Sequence, residues 1–249
     1  MDLEGAVCLV TGASSGIGHA TARALARRGA HLLAAGRDRA ALNSVAEATG
    51  GRTFVADLAR VEEVERLASE AEAAHGRVDV LVNNAAVGWA GPLAEMPSEV
   101  ADAILAVNLA APVRLTRALL PGMLERGRGH VVNVTSVAGH VGVGGEAVYV
   151  AAKAGLNGFT ESLRYDVGGH IGVSLVSPGA VDTQFFARRG APYPRRWPRQ
   201  VPPEQVAQAI VRAIERNRAD VFVPRWMGFP ARLRGTLPGV YRALARRFG

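Results

Sequence analysis

Short apolar runs alternate along the chain with stretches of helical period. The apolar runs are Ala6–Val10, His31–Ala35, Thr53–Ala56, Val78–Val82, Gly129–Val134, Val173–Val176 and Val221–Val223. They are rich in Val, Leu and Ala and too short for buried helices, which predicts strands. Between them the apolar spacing predicts helices over Gly16–Arg28, from about Asp38, and over Val61–His75. Further helices are predicted over about Pro97–Ala106, Ala110–Arg126, Ala147–Val167 and Glu204–Asn217. Gly29 closes the first helix, and Asp38 suits the cap of the second. The strands are apolar along their whole length, as in a parallel sheet covered on both faces. Right-handed crossovers then give an α/β fold, a doubly wound parallel sheet of about seven strands. It is expected to be one domain over residues 1–225, with a loop at about 182–203 and a tail at 226–249.

Composition agrees with that picture. Of 249 residues, 49% are hydrophobic and 20% charged, enough for a sizeable core. Cys8 is the single cysteine, so no intramolecular disulfide can form, which fits a reducing compartment. The start, Met1-Asp2-Leu3-Glu4, is acidic and unlike a signal peptide. No run of about 18 uncharged apolar residues is present, so no membrane span is expected. These features point to a cytoplasmic protein. No metal site is expected.

The net charge of +7 is unevenly placed. Residues 1–187 hold 15 Lys+Arg and 19 Asp+Glu, a net of −4, whereas residues 188–249 hold 14 Arg and 3 acids, a net of +11. Pro238 suits the first turn of a short helix. In it Val240, Leu244 and Phe248 fall at four-residue spacing, with Arg242, Arg246 and Arg247 on other faces. Docking of this tail on the body or on a partner subunit is one expectation. Weak contact with an anionic membrane surface is the other. No motif for nucleic acid accompanies the charge, and no nucleic-acid partner is expected.

Two constellations carry chemistry. Thr11-Gly12-Ala13-Ser14-Ser15-Gly16-Ile17-Gly18 lies between the first strand and the first helix. Glycines there let the backbone approach a diphosphate, and the helix N-terminus supplies N–H groups. The second is Tyr149-Val150-Ala151-Ala152-Lys153, with Ser136 upstream. Lys153 is the only lysine among the 29 Lys+Arg. At i and i+4, Tyr149 and Lys153 share a helix face, and an ammonium beside a phenol can lower its pKa.

Taken in order, these motifs resemble the short-chain dehydrogenase/reductase family. Residues 11–18 match its Thr-Gly-x-x-x-Gly-x-Gly loop. Asn83-Asn84-Ala85-Ala86 matches its Asn-Asn-Ala-Gly motif, with Ala86 in place of glycine. Asn108, Ser136, Tyr149 and Lys153 match its active-site residues, and Pro178 to Thr183 match its Pro-Gly-x-Val-x-Thr segment. The resemblance covers about residues 5–225 and implies a Rossmann-type sheet, an NAD(P) cofactor and a small-molecule carbonyl or alcohol substrate. It implies Tyr149 as acid/base, Lys153 lowering its pKa and binding the ribose, Ser136 holding the substrate oxygen, and Asn108 holding a relay water. For the cofactor it implies Gly12, Ser14, Ser15, Gly16, Ile17, Gly18, Asp57, Leu58, Asn84, Ala85, Ala86, Tyr149, Lys153, Pro178, Gly179, Val181 and Thr183. Asp57 is also a candidate cap for the helix after it. The resemblance implies a homodimer or homotetramer through the long helices.

The second strand ends in Gly36-Arg37-Asp38. An acid there usually binds the ribose of NAD. Glycine takes its place and Arg37 follows, which favours NADP(H) over NAD(H) because the guanidinium fork suits a 2′-phosphate. Asp38 is the competing ribose ligand. Phe185, Phe186, Tyr193 and Trp197 form an aromatic loop resembling a substrate lid. Trp89, His140, Val141 and Val143 are expected in the same cleft, His140 as a wall and not a base. These suggest a substrate with an apolar body. A nucleotide sensor or scaffold on the same sheet is the competing function, and it would have no need of the Asn–Ser–Tyr–Lys set.

Overall fold

A computed structural model of the chain describes residues 1–193 and 197–248, the last three of these by backbone alone. Residues 194–196 of the expected lid, and the side chains of Arg246, Arg247 and Phe248 from the expected amphipathic pattern, lie outside the described residues. Strands β1 (Val7–Thr11), β2 (His31–Gly36), β3 (Arg52–Val55), β4 (Val80–Asn83), β5 (His130–Val134), β6 (Gly172–Pro178) and β7 (Asp220–Val223) form one sheet. Their order is 3-2-1-4-5-6-7, and every neighbouring pair is parallel. The order reverses between β1 and β4, where ligands of such sheets bind.

Helices α1 (Gly16–Ala26) and α2 (Arg39–Thr49) follow β1 and β2, and α3 (Val61–His75) follows β3. After β4 come α4 (Ser98–Leu105) and α5 (Ala111–Glu125). After β5 come α6 (Ala138–Val141) and the long α7 (Ala147–Asp166). After β6 come α8 (Phe185–Arg188) and α9 (Pro203–Glu215), and after β7 come α10 (Gly228–Thr236) and α11 (Pro238–Phe248). Leu25, Val206, Ile210 and Ile214 cover one sheet face, and Leu67, Leu115, Leu119, Met123 and Leu163 cover the other. The central strands β1, β4, β5 and β6 therefore bury both of their faces, which is why period-2 alternation is missing from them.

The two helices expected at Pro97–Ala106 and Ala110–Arg126 are one run. A π turn at Ala106–Ala110 joins α4 to α5. The joined helix, Ser98–Glu125, has 28 residues and a mean hydropathy of 1.5 in its most apolar window. Among the described residues one helix is therefore long and apolar enough to cross a membrane, contrary to expectation. It carries Arg114 and Arg117, and it buries Ile104, Leu115, Leu119 and Met123 within this domain. That one-sided burial is the pattern of a core helix.

His130 opens β5 and is buried. Its Nε2 lies 2.8 Å from Ser174 Oγ, and that hydroxyl donates to the Arg218 carbonyl at 2.6 Å. The serine proton is thus used, which assigns the ring proton to Nε2. Nδ1 sits where a side chain on Gly172 would be, with a built Cβ only 2.1 Å away. Burial, with a smaller push from the N-terminal charge, lowers the His130 pKa to about 4. The unfolded chain, near pH ~6.5, binds that proton first, so stability falls as pH drops from about 6.5 towards 4. His130→Gln should remove up to about 3 kcal/mol of the acid-induced loss. Urea unfolding of both proteins at pH 7 and pH 4.5 measures it, and an identical pH difference in the two would refute the assignment.

Candidate active site

A cleft of about 1270 Å³ runs across the C-terminal edge of the sheet. Its floor begins at the loop between β1 and α1. Gly12 and Gly16 take φ of +66° and +54°, a region that favours glycine. A Cβ on Gly18 would lie 2.2 Å from the Gly12 carbonyl oxygen, and one on Gly12 would lie 2.8 Å from Ala85 Cα. The loop is thus folded hard against Asn84-Ala85. Thr11 and Asn84 lock that contact. Asn84 Nδ2 donates to the Thr11 carbonyl at 2.9 Å, and the Asn84 and Ala85 amides donate to Thr11 Oγ1 at 3.0 and 3.1 Å. Ser15, the cap residue of α1, makes no side-chain cap. The first-turn amides of α1 therefore face the cleft uncapped, which suits the diphosphate of a dinucleotide.

Ser136, Tyr149 and Lys153 meet in the middle of the cleft. Lys153 is 1% exposed and Tyr149 7%. Lys153 Nζ donates to the Val134 carbonyl at the end of β5, at 2.9 Å, and lies 5.9 Å from the centre of the Tyr149 ring. Thr135 Oγ1 donates to the Lys153 carbonyl at 3.2 Å. Gly139 allows the closest approach, because a Cβ there would lie 2.9 Å from Lys153 Cβ. Burial lowers the Lys153 pKa to about 8. Burial also pushes the Tyr149 phenol well above its ordinary value, and a hydrogen bond with the Ser136 hydroxyl opposes that rise. Burial outweighs any lowering of the phenol by Lys153, whose own charged form it disfavours too. Loss of water disfavours both charged forms, so both groups move towards neutrality. Tyr149 is a protonated phenol at neutral pH, the state of a proton donor.

Asn108 is fully buried in the π turn. Its Oδ1 accepts from the Val87 amide at 2.9 Å, and its Nδ2 donates to the Val87 carbonyl at 2.8 Å. The side chain is committed to the backbone after Asn84-Ala85-Ala86 and does not line the cleft. The wide turn lets Asn108 leave the helix ladder and hold that loop. Beneath it, Asn83 Nδ2 donates to Asn133 Oδ1 at 2.8 Å, and Asn133 Nδ2 donates to Thr160 Oγ1 at 2.9 Å. This buried chain ties β4 to β5 and α7, fixing the strand ends relative to Tyr149.

Every expected cofactor residue lines the cleft except Gly18, which acts through its contact with Gly12. Arg37 makes no ion pair or side-chain hydrogen bond among the described residues, whereas Asp38 accepts from the Ala41 amide at 3.0 Å and caps α2. Asp57 does not cap α3. Its Oδ1 accepts from the Ala59 amide at 3.1 Å, and the cap position is Arg60. At the other end, Phe185, Phe186, Tyr193, Trp197, Val141 and Val143 line the cleft as expected. Trp89 and His140 do not. Trp89 packs in the cluster around Ile104 and Ala152, and His140 Nε2 lies 2.9 Å from Ser177 Oγ with its ring against Phe222.

Three features escaped sequence reasoning. Arg189, in the lid, forms a buried ion pair with Glu146 and lies over the Phe186 ring at 4.7 Å. Arg188 reaches across the mouth, its Nη1 donating to Ser15 Oγ at 3.2 Å. Trp226, Met227, Pro230 and Tyr241, all from the tail, complete the apolar wall. The arginines were lost among many others, and the tail residues had no motif.

The profile of the short chain dehydrogenase family matches residues 6–193. Ketoacyl reductase HetN of a Nostoc species is 36% identical over 235 residues, covering 89% of this chain and 79% of that protein. A metagenomic short-chain oxidoreductase solved with NADP is 37% identical, with a TM-score of 0.75 over 89% of this chain and 98% of that one. A short chain dehydrogenase/reductase of Burkholderia phymatum solved with NAD is 28% identical, with a TM-score of 0.85 over 94% of both chains.

Burying the Lys153 ammonium carries a stability cost that methionine would relieve. The shift from 10.5 to about 8 corresponds to about 3 kcal/mol at neutral pH. Loss of the bond to the Val134 carbonyl offsets part of it. Lys153→Met should therefore be about 1–3 kcal/mol more stable at pH 7. The gain should shrink as pH rises from about 8 to 10.5, because lysine in the unfolded chain then loses its charge too. Urea unfolding across that range checks both the sign and the window. A variant less stable than wild type at pH 7 would contradict the cost assigned to burial.

Proposed function

The chain belongs to the short-chain dehydrogenase family, and on that premise we propose that it is an NADP(H)-dependent reductase of carbonyl compounds with an apolar body. Membership makes it an NAD(P)-dependent oxidoreductase. The observation that carries the finer reading is the buried Tyr149 in the cleft, with Ser136 beside it and the Lys153 ammonium 5.9 Å from its ring. The nicotinamide, when bound, supplies a hydride to the carbonyl carbon. Tyr149 gives its proton to the carbonyl oxygen, which Ser136 orients by a hydrogen bond. Lys153 then stabilises the phenolate left on Tyr149. Its charge acts on the state formed in the reaction and not on the resting phenol, which is the differential effect catalysis needs. Asn108 is a positioning residue for the loop at Asn84-Ala85-Ala86.

The glycine loop, with Ser14, Ser15 and Ile17, is proposed to hold the diphosphate, and Asp57 and Leu58 the adenine. Asn84, Ala85 and Ala86 would hold the ribose and nicotinamide, together with Pro178, Gly179, Val181 and Thr183. Arg37 is free to meet a 2′-phosphate, while Asp38 is engaged by the helix it caps. The apolar end of the cleft suits an acyl or alkyl ketone, in keeping with the ketoacyl reductase among its relatives. Assembly as a homodimer or homotetramer through the long helices completes the proposal.

Tyr149→Phe should keep cofactor binding and lose on the order of 10²–10⁴-fold in ketone turnover. Near wild-type turnover in that variant would remove Tyr149 as the acid. For the wild type, the reduction rate should hold below pH 8 and fall above it, as Lys153, with its pKa of about 8, loses its proton. A rate that rises through that range would contradict the role given to the ammonium. NADPH should bind more tightly than NADH. Arg37→Ala should erase roughly 1.5–3 kcal/mol of that preference, about 10- to 100-fold in Kd. Calorimetric titration of both cofactors decides it, and equal affinities in the wild type would return Asp38 as the ribose ligand.

A further inference from the structure

The tail faces two ways. Met227, Pro230 and Tyr241 line the apolar end of the cleft, and Trp226 stacks on Trp197 of the lid with ring centres 5.0 Å apart. Its other side is uncovered. Phe229 is 68% exposed, Leu237 54%, Val240 49% and Leu244 44%. On α11, Tyr241 and Ala245 form the half-buried stripe, and Val240 and Leu244 lie beside it on the solvent side. Exposed Arg225, Arg232, Arg234 and Arg242 stand among these apolar side chains. No acid occurs after Asp220. The segment that walls the apolar end of the cleft with Trp226, Met227, Pro230 and Tyr241 thus carries exposed apolar side chains and arginines on its other side.

We propose that this face docks on an anionic lipid surface, and that the ketone enters the cleft from that surface. The substrate clause rests on the function proposed above, whereas the docking clause does not. Apolar side chains interleaved with arginines and lacking acids suit a layer with an apolar interior and negative headgroups. Tryptophans at the rim fit the interfacial level of such a layer. A second copy seated on the same face would set arginine against arginine across an isologous contact. A lipid surface neutralises the charge and leaves a route for an apolar molecule.

The structure also shows how to test this without harming the site. Removing the tail would take Pro230 and Tyr241 from the cleft wall, so point changes are better than truncation. Phe229→Asp, Val240→Asp and Leu244→Asp together alter exposed residues outside the cleft. The full-length protein is sedimented with vesicles of phosphatidylglycerol and phosphatidylcholine, and with phosphatidylcholine alone, at low and high salt. Wild type should pellet with the anionic vesicles at low salt and release at high salt, since screening shortens the Debye length. The triple variant should lose at least tenfold in partitioning while keeping NADPH affinity, melting temperature and turnover of a small water-soluble ketone. With a long-chain ketone dissolved in the vesicles, its rate should fall in proportion to its lost binding. Absence of wild-type pelleting at low salt, equal pelleting with neutral vesicles, or full binding by the triple variant would each overturn the proposal. A change from dimer to monomer in the triple variant, seen by light scattering without vesicles, would show that a second copy covers the face instead. Docking without turnover of any ketone would leave the lipid contact standing and overturn the functional reading alone.

Discussion

An ammonium held out of water is the constraint around which the rest of this protein is arranged. Lys153 is 1% exposed, and among the described residues its ammonium donates one hydrogen bond, to the Val134 carbonyl at the end of β5. A charge in such a place costs stability unless backbone and neighbours are fixed to receive it. Three arrangements do so. The parallel sheet ends in carbonyls at that edge. Thr135 bonds the Lys153 carbonyl, and Gly139 lets α6 approach α7 at this residue. The polar chain from Asn83 through Asn133 to Thr160 then fixes α7 against the sheet. Arginine appears almost everywhere else a cation is present, but its wide fork could not replace a compact ammonium in this space.

The same burial decides what the phenol beside it can do. Loss of water raises the Tyr149 pKa more than its neighbours lower it. The resting state is therefore a proton donor, and a charge appears on the oxygen only when the proton has left. Glu146 and Arg189 set the local field further. Glu146 raises the phenol's pKa, and Arg189, its ion-pair partner, lowers it. The pair also ties the lid to the start of α7. The lid is thus fastened to the helix that carries the acid, so positioning of substrate and of proton donor share one element.

Much of this was legible in the sequence, because the signals were local. The glycine loop, the two asparagines and the Tyr149–Lys153 spacing each sit within a few residues of a strand end, and unbroken apolar strands dictated a buried parallel sheet. What stayed hidden depended on distant contacts. Arg189 and Glu146 are 43 residues apart and pair through a loop with no period. Asn108 is a helix residue whose partners belong to the Val87 backbone, 21 residues away. Trp89 and His140 were expected in the cleft beside the aromatic loop. Packing against Ile104 and hydrogen bonding to Ser177 turned them elsewhere. The tail gave a charge and a faint amphipathic spacing. Only the fold shows that one side of it closes the cleft while the other is left uncovered.

The buried ammonium can be observed directly because the chain has a single lysine. Growth on lysine labelled at the ε-carbon gives one side-chain resonance, that of Lys153, without any substitution. Its chemical shift followed against pH in the folded protein should titrate with a midpoint of about 8. It should return to the ordinary value near ~10.4 in urea. A folded-state midpoint at that ordinary value would mean that water reaches the ammonium, and the account of how this site holds its proton would fail.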